Sequence, residues 1–149
     1  MKNQKKQARN QKPSLLLWAG VLLAVLALAA AGILIFRPFS QAKTPLPDTV
    51  TVAQAADLRS QGAFILDVRQ PEEWNQFHIP GAVLIPLGDL PARLSEVPKD
   101  KNVVVYCRTG HRSAQGRDIL RQAGYTQVTS LAGGITQWQA EGQPTASGS

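Results

Sequence analysis

One cysteine, two arginines and a glycine fall within six residues of this chain, in the run Cys107-Arg108-Thr109-Gly110-His111-Arg112-Ser113. These residue types at this spacing are suited to making a thiolate and holding an anion beside it. The thiolate is the nucleophilic form of cysteine; it forms near pH ~8.5 in a free thiol and lower in electropositive surroundings. Arg108 and Arg112 carry guanidinium groups that cannot lose their charge. Gly110 lets the backbone curl so that successive N–H groups point inward. A lone cysteine at the end of a strand is ordinarily a small buried hydrophobe, but the flanking Arg-Thr-Gly-His-Arg-Ser is too polar to be core. We therefore expect a working nucleophile. Cys107 is the only cysteine, so it has no internal partner. Any covalent sulfur chemistry must be completed by an outside molecule.

The elements around it must fix the sulfur in place. Asn102 to Tyr106 is a hydrophobic strand that runs into Cys107, and Ala114 to Ala123 has the pattern of a helix. The start of that helix adds the positive end of its dipole to the loop. Strand signals recur at Thr49–Val52, Ala63–Val68, Ala82–Ile85 and Gln127–Leu131. Helix signals lie between them at Ala53–Ser60, Pro71–Gln76, Leu87–Ser95 (leucines at 87, 90 and 94) and Gly134–Ala140. Near-continuous apolar strands separated by helices predict an α/β fold, a mostly parallel central sheet with helices on both faces. In such sheets sites lie beyond the carboxyl ends of strands, where Cys107 falls.

The N-terminal third has a different character. Leu15 to Phe36 is 22 residues without a charge. As a helix it would span about 33 Å against a hydrocarbon core of about 30 Å. Arg37-Pro38 ends it abruptly. Five Lys/Arg precede the run and two follow it closely, so the positive-inside rule predicts a cytoplasmic N-terminus and an extracytoplasmic domain. Ala27-Leu28-Ala29 and Ala29-Ala30-Ala31 resemble small-residue cleavage sites. The apolar run continues past both through Ile33–Phe36, and we expect an uncleaved anchor. The expected organisation is a basic cytoplasmic tail at 1–14, a transmembrane helix at 15–36, a Pro-containing linker at 37–48, a folded domain at 49–144 and a loose tail at 145–149. From Asp48 onward nine Lys/Arg stand against ten Asp/Glu, and this near-neutral balance argues against a nucleic-acid partner. Two histidines, one cysteine and no clustered carboxylates give no reason to expect a metal site or cofactor.

Several segments together resemble the rhodanese family of sulfurtransferases. The 107–113 run looks like its active-site loop. Leu66-Asp67-Val68-Arg69 with Glu73-Trp74 resembles the upstream signature, and His78-Ile79-Pro80-Gly81-Ala82 with Ile85-Pro86-Leu87 the middle one. Leu131-Ala132-Gly133-Gly134-Ile135 with Trp138 resembles the C-terminal one. The matches run in order from about Val50 to Pro144. One departure stands out: Phe77 occupies a position where the family usually has glycine, which bears on the rim of the pocket and on acceptor preference.

The resemblance implies that Cys107 takes the outer sulfur of a thiosulfate-like anion as a persulfide and hands it to a thiol or to cyanide. Arg108, Thr109, Gly110, His111, Arg112 and Ser113 would bind the donor and the persulfide, with an Asp67–Arg69 ion pair behind the loop. Four residues separate Cys107 from Arg112, whereas cysteine phosphatases and the related arsenate reductases have five, which disfavours phosphatase chemistry. His78 is expected to pack or cap locally, and Trp74 and Trp138 to lie in the core. Further partners would be the lipid bilayer and an unidentified membrane redox protein. A second reading keeps the fold as a non-catalytic binding or sensor module at the membrane.

Overall fold

The computed structural model describes residues 44–148. The expected basic tail, the expected membrane helix at 15–36 and the first part of the linker lie outside the described residues. Among the described residues no helix is long and apolar enough to cross a membrane.

Five strands form one sheet: β1 (Thr49–Val50), β2 (Phe64–Asp67), β3 (Val83–Leu84), β4 (Val103–Tyr106) and β5 (Val128–Leu131). Their order is β1-β5-β4-β2-β3, and every neighbouring pair is parallel. Among the described residues four α-helices accompany them: α1 (Val52–Ser60), α2 (Pro71–Gln76), α3 (His111–Gln122) and α4 (Gly134–Ala140). The α/β architecture with a parallel sheet is the one the sequence predicts.

Alternation along β4 explains why both faces are covered. Val103 and Val105 join a core with Leu66, Val68, Ile85, Leu90, Leu120 and Val128, while Val104 and Tyr106 join a second core with Val52, Ile65, Leu131, Ile135 and Trp138. The first core is roofed by α3 and the turn at Leu90, the second by α1 and α4. Side chains of a strand point alternately to opposite faces, so a run apolar at every position must be sandwiched.

Four expectations are corrected. The stretch 87–95 is two short 3-10 turns, Leu90–Ala92 and Leu94–Glu96, instead of an α-helix. Pro91 supplies no N–H to an α-helical ladder there, and the leucine spacing only places Leu90 in the core. Helix α3 starts at His111, three residues before the predicted Ala114, so His111, Arg112 and Ser113 form its first turn. The tail is not loose through residue 148: His78 and Ala146 exchange backbone hydrogen bonds of 2.8 and 2.9 Å, and Gly148 N–H donates to Asn75. Trp138 is in the core as expected, but Trp74 is only half-buried and stacks on His78 with ring centroids 3.7 Å apart.

Candidate active site

Strand β4 is the central strand of the sheet, flanked by β5 and β2, so its carboxyl end is the centre of the sheet's C-terminal edge. Cys107 follows it directly and is 1% exposed. Its backbone is held from beneath by α4. The Ile135 amide donates to the Cys107 carbonyl at 2.9 Å, and the Thr136 amide and hydroxyl both donate to the Arg108 carbonyl, at 3.1 and 2.9 Å. Two N–H groups left unpaired by the start of a helix thus find their acceptors in the loop. Such proximity requires a glycine at 134: a Cβ there would stand 2.6 Å from the Arg108 carbonyl carbon and closer still to the Cys107 oxygen.

The loop then curls around the sulfur. Gly110 has φ +105°, a conformation L side chains rarely adopt, and its N–H points at the Cys107 Sγ from 3.1 Å. The Ser113 hydroxyl lies 3.8 Å from the sulfur and donates to the Gly110 carbonyl at 2.9 Å. Burial pushes the thiol up, but hydrogen bonds from the backbone of Ser113, Gly110 and Thr109 and from the Ser113 side chain outweigh it. The net effect holds Cys107 below the ordinary thiol range. This is how an anionic sulfur is stabilised by fixed N–H dipoles in a site that excludes water.

The arginines divide their duties. Arg112 directs both its Nη atoms at the Glu73 carboxylate, 2.7 and 2.8 Å away. Arg69 is 1% exposed and pairs with the fully buried Asp67 through several bonds, the shortest 2.6 Å. It also donates to the Phe77 carbonyl at 2.8 Å and lies over the Phe77 and Tyr106 rings. Arg108 is exposed, and among the described residues no ion pair holds its guanidinium. Thr109 and His111 are exposed at the rim. A pocket of about 80 Å³ lined by Arg69, Glu73, Gln76, Phe77 and Arg108 opens beside the loop.

The structure brings Cys107 together with the amides of Thr109, Gly110 and Ser113, and pairs Asp67 with Arg69. Glu73 and Gly134 belong to the same assembly without having been singled out for it. Glu73 stands in no local pattern with the loop, since its partner Arg112 lies 39 residues further along the chain. Gly134 carried a weak signal, as one of two adjacent glycines after a buried strand.

The sequence pattern of the rhodanese-like domain matches residues 51–141. A sulfurtransferase of Allochromatium vinosum is 44% identical over 85 residues, covering 57% of this chain and 79% of that protein. Thiosulfate sulfurtransferase PspE of Escherichia coli is 44% identical over 70 residues, 46% of this chain and 67% of that protein. The solution structure of the rhodanese-like domain of the Anabaena Alr3790 protein superposes with a TM-score of 0.63 at 31% identity, covering 68% of this chain and 80% of that one.

Proposed function

The chain belongs to the rhodanese-like domain family, with sulfurtransferases among its relatives, and on that premise we propose that it moves sulfane sulfur from a thiosulfate-like anion through a Cys107 persulfide. The Cys107 thiolate attacks the outer sulfur of the donor. The donor's S–S bond breaks, its electron pair leaves with sulfite, and a new S–S bond joins the transferred sulfur to Cys107. A thiolate or cyanide then attacks the terminal sulfur and regenerates the Cys107 thiolate. Charge balances in both steps, and no further oxidant or reductant enters.

The observation that carries this reading is the Gly110 N–H aimed at the Cys107 sulfur, with the amides of Thr109 and Ser113 beside it. A cup of N–H donors stabilises the negative charge that passes from the thiolate to the persulfide. Arg108, free of an ion pair among the described residues, is placed to attract the anionic donor. Arg112 contributes to the same field from within its pair with Glu73, and His111 stands at the rim.

Residues 15–36 anchor the chain in a cell membrane in this proposal, with the N-terminus cytoplasmic and the domain extracytoplasmic. The test uses the full chain and its Cys107→Ser variant. Each is incubated with thiosulfate and weighed intact, and thiocyanate is assayed after cyanide is added. The parent gains one sulfur atom and turns over; the variant does neither. A folded, reduced parent that gains no sulfur overturns thiosulfate transfer and brings the binding-module reading forward. Protease added to spheroplasts, with any outer membrane removed, digests a periplasmic or cell-surface domain if the topology is right, and protection overturns it.

A further inference from the structure

The pocket beside the loop is small and carries a net positive charge. Of its lining residues, Arg69 is neutralised by Asp67 and Glu73 by Arg112, which leaves the Arg108 charge uncompensated at its mouth. Gln76 adds a polar group, and the half-buried Phe77 ring forms the apolar wall. Its volume of about 80 Å³ is far below the roughly 300–1,000 Å³ of clefts that enclose larger organic ligands. The sulfur itself is equally secluded: with Cys107 1% exposed, only a projecting atom of the donor can meet it.

Phe77 is fixed by its surroundings. Its backbone is extended at φ −168°, its carbonyl accepts from Arg69, and its ring lies 5.6 Å from the Arg69 guanidinium carbon. The Arg69 that locks this corner is itself immobilised by Asp67. The backbone that carries the wall is thereby tied to a buried ion pair.

We propose that Phe77 is a specificity-determining residue, narrowing the Arg108 pocket so that it takes small sulfur oxyanions such as thiosulfate and turns away donors whose sulfonyl group carries a bulky organic substituent. This rests on the sulfur-transfer reading above. A small oxyanion places its charge at Arg108 and points its outer sulfur at Cys107. An aryl thiosulfonate presents the same outer sulfur and releases a sulfinate in place of sulfite, but its ring must occupy the space the Phe77 side chain fills.

The experiment compares thiosulfate with benzenethiosulfonate as donors to the full chain and to Phe77→Ala, reading kcat/KM for sulfur loading of Cys107. The extended backbone at 77 accepts alanine without strain. Phe77→Ala raises kcat/KM for benzenethiosulfonate relative to thiosulfate by about tenfold or more, the scale on which a changed apolar pocket discriminates substrates. Phe77→Leu, which keeps an apolar side chain on the Arg69 corner, moves the ratio in the same direction and serves if the alanine variant does not fold. Arg108→Gln raises KM for both donors. A ratio that stays put in the folded variants overturns the role of Phe77 while sulfur transfer stands. A parent that accepts neither donor overturns both.

Discussion

Glu73 on α2 and Arg112 in the first turn of α3, 39 residues apart in the chain, form a two-pronged ion pair with N–O distances of 2.7 and 2.8 Å. The pair ties the helix after β2 to the helix that closes the sulfur loop. Glu73 is also fastened at its own end, accepting the Gln70 N–H at 3.2 Å.

Arg112 therefore holds the Glu73 carboxyl down to about 2, from 4.5. A depressed carboxylate pKa adds stability that is full above the unfolded value and is lost as pH falls through the folded one. The pair is partly solvent-exposed, so the expected contribution is modest, about 1 kcal/mol. Glu73→Gln should lower the unfolding free energy read from urea curves at pH 7 by that amount and leave stability less dependent on pH between about 5 and 2. Equal slopes for variant and parent, from unfolding curves across that range, would sink the assignment.

The second prediction concerns the hydroxyl beside the sulfur. Ser113 is one of the groups holding the Cys107 thiol down, and in the thiolate state its hydroxyl can turn to donate to the sulfur. Ser113→Ala should raise the pH at which Cys107 becomes alkylated by iodoacetamide. At pH 7 the reaction should slow by roughly threefold to tenfold, the scale of one ordinary hydrogen bond. Ser113→Cys is unsuitable because it adds a second thiol. An alkylation profile that superposes on the parent's would remove Ser113 from the machinery.

Gly134 offers a test of how the loop is supported. Alanine at φ +57° is strained, and its Cβ would overlap the backbone of Cys107 and Arg108. Gly134→Ala should cost about 2 kcal/mol or more of stability. Because the displaced atoms belong to the sulfur loop, Cys107 alkylation at pH 7 should slow as well. Gly142→Ala is the control: φ is again positive, at +71°, but nothing lies within 4 Å. It should cost about 1 kcal/mol of backbone strain and leave alkylation alone. Thermal melts and alkylation rates of the two variants, side by side, decide it.

Much of this molecule was written locally. The apolar run of β4 could only be a strand buried on both faces, and Pro71 at the start of α2 and Gly124 after α3 punctuate the chain where the structure does. The loop's Cys-Arg-Thr-Gly-His-Arg-Ser named its own chemistry, because the groups that stabilise the sulfur are the amides of that same run. Where the local signal was shared by two structures, it misled: leucines at 87, 90 and 94 suit a helix or a pair of tight turns with equal ease. The start of α3 was misplaced because polar residues suit a loop and a first helical turn alike.

What the sequence could not contain were relationships across the sheet. The two arginines of the loop look interchangeable as letters, yet Arg112 is paired with Glu73 while Arg108 is exposed and has no ion-pair partner among the described residues. That division depends on α2 arriving beside α3, which follows from β2 and β4 being neighbours in the sheet. Gly134 matters because β5 delivers α4 underneath the loop, close enough for its amides to grip the Cys107 and Arg108 carbonyls. Residue type and spacing set which groups were available; strand order decided which charges pair with each other and which stay exposed beside the loop.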